Sequence, residues 1–150
     1  MTESQVKQII SNYFEQNDYN YKPENVKDSW VLYSGFNNEL GVVFTVKDND
    51  INVVARSFSV VEYSNAIAEF MLRLNRYLKR GHYFYDYNTN TINYKMWEST
   101  RGKLDIKDID EMVKLSVSSI ESILPVINKV ISGDSTPADA VKAYVQGANE

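Results

Sequence analysis

The chain has 150 residues, a length that one domain with one ordinary core accounts for. It contains no cysteine, which excludes disulfides, thiolate metal ligands and a cysteine nucleophile. The net charge of −4 argues against a nucleic-acid-binding protein, and no apolar run approaches the roughly 18 residues of a membrane span. The first residues include an acid and no apolar stretch, so we expect a cytoplasmic protein that binds neither nucleic acid nor membrane.

A first helix is predicted over residues 2–16, where apolar residues recur at helical spacing. Thr2 and Gln5 have the spacing of a capping box, and Asn17 is expected to end the helix in a left-handed conformation. The polar residues 18–27 contain Pro23 and are expected to form an extended connection.

Three strands are predicted next, over residues 28–34, 40–46 and 51–57, because apolar residues alternate in each of them. Short loops join them into an antiparallel meander with one apolar face. With a turn at Asn49 and Asp50, the predicted cross-strand pairs are Leu32 with Val42, and Val46 with Val53.

A second helix is predicted over residues 61–80, ended by Gly81. A hairpin follows at once and turns around Thr89 and Asn90. Its predicted register pairs Tyr85 with Tyr94 and Tyr83 with Met96, with the tyrosine side facing the core.

A long helix is predicted from Asp105 to about Ser132, and Pro125 inside it predicts a kink or a break near Ser122. Gly133 ends this helix. The capping hydroxyl of Thr136 predicts a short terminal helix over about residues 136–147.

The predicted fold is therefore α+β, with one domain spanning residues 1–150. Its element order is α-β-β-β-α-β-β-α-(α), and its single antiparallel sheet has about five strands with helices packed on one face.

The residue types that carry catalysis are sparse in this chain. His82 is the only histidine, no serine lies in a recognisable nucleophile turn, and no glycine-rich phosphate loop is present. Residues 48–52 resemble the start of a calcium loop, but Val53 and Ser59 stand where that loop needs glycine and a bidentate acid. The sequence predicts no catalytic residue, no metal site and no cofactor, and hence a protein that is not an enzyme.

Two groups of side chains are candidates for binding a partner. The last hairpin contributes aromatic residues and the end of the second helix contributes cations. The candidate residues are Tyr83, Phe84, Tyr85, Trp97, Arg73, Arg76 and Arg80. The tyrosines suit either core packing or a half-open edge, and the cations suit either a solvated helix face or a contact with an acidic peptide.

Several of these features resemble the YbjN-like family of small bacterial domains, described as sensory transduction regulators. The resemblance rests on Leu74-Asn75, Gly81, the segment 82–86, Ile92-Asn93-Tyr94, and the segments 123–125 and 132–140. It covers about residues 3–145 and implies a fold like that of type III secretion chaperones, which are small dimers that hold a polypeptide. The resemblance carries over no catalytic residue.

The leading hypothesis is a non-catalytic interaction domain, chaperone-like or regulatory, that forms a homodimer and binds a protein or peptide of unknown identity by adding a strand to a sheet edge. The alternative is a small-molecule-binding or hydrolytic domain, for which a deep cavity lined by His82, Asp86 and Tyr94 is expected. A nucleic-acid binder would instead need one continuous positive surface formed by Arg73, Arg76, Lys79, Arg80, Lys95 and Arg101.

Overall fold

A computed structural model describes residues 1–36 and 39–148 of the chain. Within these residues it contains four helices and six strands. In chain order they are α1 (Glu3–Gln16), β1 (Tyr21–Val26), β2 (Ser29–Gly35), β3 (Leu40–Lys47), β4 (Asp50–Ser57), α2 (Asn65–Asn75), β5 (His82–Asp86), β6 (Thr91–Ser99), α3 (Ile106–Ile131) and α4 (Pro137–Ala148).

All of the strands belong to one antiparallel sheet with the spatial order β1-β2-β3-β4-β6-β5. β1 and β5 are therefore its two edges. The predicted α+β class and single antiparallel sheet are confirmed. In the described part of the chain the sheet has one strand more than the five expected.

The additional strand is β1, in the segment predicted to be a connection. Tyr21 pairs with Ser34 and Val26 with Ser29, so the whole of β1 lies along β2. Its side chains are almost all exposed, which removes the apolar alternation that marks a strand in a sequence. Pro23 is compatible with this position because an edge strand has one side with no partner for its N–H groups.

The predicted cross-strand pairs are wrong by two residues in each hairpin. Leu32 pairs with Phe44, Val46 with Ile51, and Tyr83 with Tyr94. In the hairpin of β3 and β4, the turn is one residue earlier than predicted. The turn residue with a positive φ is Asp48, at 54°. A shift of two residues keeps each side chain on the same face of the sheet, so the predicted core face is correct.

The second helix is shorter than predicted at both ends. Ser64 is its N-cap and accepts a hydrogen bond from the Ile67 N–H, and the helix ends at Asn75. Before it, the chain is extended where the Val61 N–H donates to the Asn90 carbonyl at 2.8 Å. Gly81 has a φ of +70° and lies against the Tyr94 side chain, so a Cβ there would be 2.4 Å from the tyrosine oxygen.

The other helix ends largely follow the predicted signals. The Thr2 and Asp105 caps and the left-handed Gly133 (φ 80°) are confirmed, and Thr136 accepts from the Asp139 N–H. After α1, the left-handed residue is Asp18 rather than Asn17. α3 continues through Pro125, so of the kink or break predicted near Ser122 the break is wrong.

The helices pack on one face of the sheet and form the core with it. α1 and α3 contact the central strands, while α2 and α4 pack on each other and on α3. Phe14 meets Phe44 edge to face, and Phe70, Leu74 and Ile120 are fully buried. No described helix is both long and apolar enough to cross a lipid bilayer.

Candidate functional site

Tyr83 and Tyr85 lie on the core face and take part in the interior of the protein. The Tyr83 hydroxyl donates to the Ser119 carbonyl at 2.7 Å, and the Tyr85 hydroxyl donates to the Val61 carbonyl at 2.5 Å. Both rings are buried, and burial raises the pKa of Tyr83. The two interpretations of these tyrosines were core packing and a half-open edge. The structure supports core packing.

The edge of β5 is partly occupied by a side chain. Asn75, at the end of α2, accepts a hydrogen bond from the Tyr83 N–H at 2.8 Å and donates to the Tyr83 carbonyl at 3.0 Å. These backbone groups point away from β6, because successive residues of a strand alternate in direction. The Asn75 amide thus stands where an added strand would pair with Tyr83.

Phe84 and Trp97 point to the opposite face of the sheet, which the described helices leave uncovered. Phe84 is half-buried on β5, with its ring 6.0 Å from that of His82. Trp97 on β6 is 63% exposed. Of the four aromatic candidates, these two are the ones a partner can reach.

The uncovered face, called here the open face, carries apolar side chains across several strands. Its register places Tyr33, Val43 and Val54 in one continuous row. Val31 precedes this row but is only 7% exposed, and Trp97 lies on the next strand beyond the row, diagonal to Val54. We define the open face by these five residues together with Phe58.

Phe58 closes one end of the open face. Its ring lies over Gly41, where a Cβ would be 2.9 Å from the ring carbon Cζ, so the absence of a side chain at Gly41 allows this packing. Tyr33, Phe58 and Arg56 line a shallow depression of about 210 Å³ beside it. Tyr33 and Phe58 are 42% and 49% exposed.

Polar groups border the open face on the side of β5. Arg56 pairs with Asp86 at 3.4 Å, and Asn93 lies between Arg56 and Phe84 in the register. The Asn93 amide donates to the Thr91 carbonyl at 3.1 Å. This border gives the apolar row a charged rim, which is the usual composition of a protein-binding surface.

The three candidate arginines do not form one cluster. Arg73 and Arg76 line a groove of about 350 Å³ between α2 and α4, together with Lys142. Arg80 instead pairs with Glu98 and lines a small polar pocket of about 140 Å³ near the start of α3. Because α2 packs on the core side of the sheet, Arg73 and Arg76 lie on the opposite side from Lys95, and the common surface expected of a nucleic-acid binder is not formed.

The three residues expected to line a hydrolytic cavity are also separated. Tyr94 points to the core and donates to the Arg80 carbonyl at 2.6 Å. His82 and Asp86 belong to the other face, where His82 is exposed. Within the described residues no group of three or more histidine, aspartate and glutamate side chains is placed to hold a metal ion.

Several residues of these surfaces were not among the sequence candidates. Tyr33, Val43 and Val54 read as ordinary strand residues and Phe58 follows a predicted strand, and their position on an uncovered face depends on where the helices pack. Lys142 on α4 approaches the arginines of α2 only in the folded chain. The one signal available in the sequence was the alternation in β2, β3 and β4, which places the residues between the core residues on the opposite face.

Comparison of the chain with protein-family models, curated proteins and solved structures finds no match. The resemblance to the YbjN-like family stays a prediction from the residues quoted for it.

Proposed function

We propose that the chain is a non-catalytic interaction domain that binds a polypeptide through the open face. The observation that carries this proposal is the apolar row on the uncovered side of the sheet, in which Tyr33 is exposed and Val43 and Val54 are half-buried, with the exposed Trp97 and Phe58 near it and charged residues beside it. Exposed apolar patches with a polar rim are typical of surfaces that bind proteins. A chaperone-like or regulatory role, as the YbjN-like resemblance implies, is compatible with this activity.

The shape of this surface favours a polypeptide over a small molecule. Sites for small ligands are concave and enclose most of the ligand surface. The open face is a sheet surface whose associated depression of about 210 Å³ is shallow. A polypeptide can place one side chain beside Tyr33 and Phe58 and extend across Val43 and Val54 toward Trp97.

Docking on the face fits the structure better than the strand addition first expected. At β5, the Asn75 amide already pairs with the outward backbone groups of Tyr83. At the other edge, β1 has Pro23 between Lys22 and Glu24, and proline and charges at an edge discourage pairing with another strand. Strand addition would have to displace Asn75 or tolerate that proline.

A random peptide library displayed on phage tests the proposal. Peptides retained by the wild-type protein are synthesised, and their affinities for wild type and for Trp97→Ala are compared. Loss of an exposed aromatic anchor is expected to weaken binding about tenfold or more, since interface tryptophans commonly contribute over 1 kcal/mol.

Leu72→Ala is the control, because Leu72 is also a large exposed apolar residue but lies on α2, on the other side of the sheet. Its affinity is expected to equal that of wild type. Failure to select any peptide, or selected peptides that bind Trp97→Ala as tightly as wild type, would contradict the proposal.

We further propose that the protein is a cytoplasmic homodimer. The support for self-association is a second exposed apolar area outside the open face, where Val60 and Ile131 are 72% and 53% exposed and line one surface depression. Light scattering at several concentrations is expected to give a mass near twice 17.3 kDa. A mass of 17.3 kDa at every concentration would exclude the dimer and leave the peptide-binding proposal intact.

A further inference from the structure

A second surface, separate from the open face, lies between α2 and α4. Its groove has a volume of about 350 Å³ and an apolar floor that includes Val141 and Val145 of α4. Tyr77, just beyond α2, lies at its side and is 61% exposed. The two helices pack on each other, and the groove is lined by α4, by the end of α2 and by the turn that follows α2.

The charged side chains that line this groove are all cationic. Arg73, Arg76 and Lys142 line it, and none of its described lining residues is an acid. Arg73 is 3.5 Å from Glu69, and both side chains are about half exposed, so this pair contributes little. No acidic partner within the described residues is seen for Arg76 or Lys142.

This local positive charge contrasts with the chain as a whole, which carries a net charge of −4. A ligand attracted by the overall charge would be basic, whereas a ligand that fits this groove is acidic. The groove and the whole protein therefore favour ligands of opposite charge. Comparing an acidic with a basic ligand distinguishes binding in the groove from general electrostatic attraction.

We infer that the α2–α4 groove binds an acidic amphipathic helix of a partner polypeptide. Apolar side chains at positions i, i+3 and i+4 would fill the space over Val141 and Val145 and beside Tyr77. Glutamate or aspartate side chains flanking them would pair with Arg73, Arg76 and Lys142. At about 350 Å³ the groove is near the lower limit for a small-molecule pocket, and it is open, so it suits a few anchoring side chains.

Two fluorescent synthetic helical peptides of equal length serve as probes. Both carry leucine at every third or fourth position, and the positions beside the leucines are glutamate in one peptide and lysine in the other. Wild-type protein is expected to bind the acidic peptide at least about tenfold more tightly than the basic one, and less tightly as salt rises.

Charge reversal locates the binding site. Arg76→Glu and Lys142→Glu are each expected to weaken binding of the acidic peptide about three- to tenfold, as for loss of one or two partly exposed ion pairs. Lys47→Glu makes the same change of charge at the end of β3, away from the groove, and is expected to change the affinity less than twofold. Circular dichroism of each variant checks that it folds.

Tyr77→Ser tests the apolar part of the site without changing charge, and it is expected to weaken binding as well. A basic peptide bound as tightly as the acidic one, or an equal loss in Lys47→Glu and Arg76→Glu, would overturn the inference. Trp97→Ala should bind the acidic peptide as tightly as wild type does. The groove proposal and the open-face proposal can therefore be disproved independently.

Discussion

The side-chain amide of Asn75 forms two hydrogen bonds with the backbone of Tyr83, one as donor and one as acceptor. A neighbouring strand would make the same pair of contacts. Asn75 is the last residue of α2, so this contact ties the end of the helix to the edge of the sheet. One asparagine thus holds α2 in place and occupies part of an edge that is otherwise open to pairing.

Replacing Asn75 by alanine removes both hydrogen bonds and leaves a part-buried N–H and carbonyl without partners. We expect Asn75→Ala to lower the free energy of unfolding by about 1–3 kcal/mol, measured by urea denaturation. Asn128→Ala, an exposed helical asparagine on α3, is the control and is expected to change stability by less than about 0.5 kcal/mol. Equal effects of the two substitutions would show that the Asn75 contact does not stabilise the fold.

Removing the hydroxyl of Tyr85 tests whether this residue acts in the core, as its burial indicates, or in partner binding. Tyr85→Phe removes the donor to the Val61 carbonyl and is expected to cost about 1–3 kcal/mol of stability. Tyr33→Phe, on the exposed open face, is expected to have almost no effect on stability. A Tyr85→Phe protein as stable as wild type would mean that its buried hydrogen bond contributes nothing to the fold.

Stability is also predicted to fall at alkaline pH. Burial raises the pKa of Tyr83 and Tyr94, and burial together with the hydrogen bond to Asp110 raises the pKa of Tyr13. Above about pH 10 these tyrosines lose their protons in the unfolded chain but keep them in the folded one, which favours unfolding. The contribution of the protonated buried tyrosines to the free energy of unfolding is thus complete below about pH 10 and is lost as the pH rises further.

Urea denaturation at about pH 8 and about pH 11 measures this loss, and tyrosinate absorbance reports the ionisation directly. Tyr83→Phe is the matched variant, because it removes one of the shifted groups and is expected to make the decline with pH shallower. A stability that stays constant between these two pH values would contradict the account of the buried tyrosines.

The sequence was sufficient for the fold class and for most of the core. Alternation in β3 and β4 and the capping residues Thr2 and Asp105 mark elements that the structure contains, because those signals are local, whereas Gly81 does not end α2 as predicted. β1 was missed because its exposed side chains carry no alternation. The β3–β4 register was wrong by two residues because Asp48, rather than Asn49, begins the turn.

The binding surfaces were less accessible to sequence analysis than the fold. Trp97 was identified as a candidate, but its neighbours on the open face became evident only from the pairing of Tyr33, Val43 and Val54 across three strands. The groove needs Lys142 beside Arg76, two residues far apart in the chain. Such surfaces depend on how the helices pack, which a single sequence specifies only indirectly.

Amide hydrogen exchange with and without a saturating library-selected peptide shows whether the open face is where a polypeptide binds. Binding there is expected to add protection in β2, β3, β4 and β6 around Tyr33, Val54 and Trp97 and to leave α2 and α4 unchanged. Protection confined to α2 and α4, or to the β5 edge beside Asn75, would contradict it.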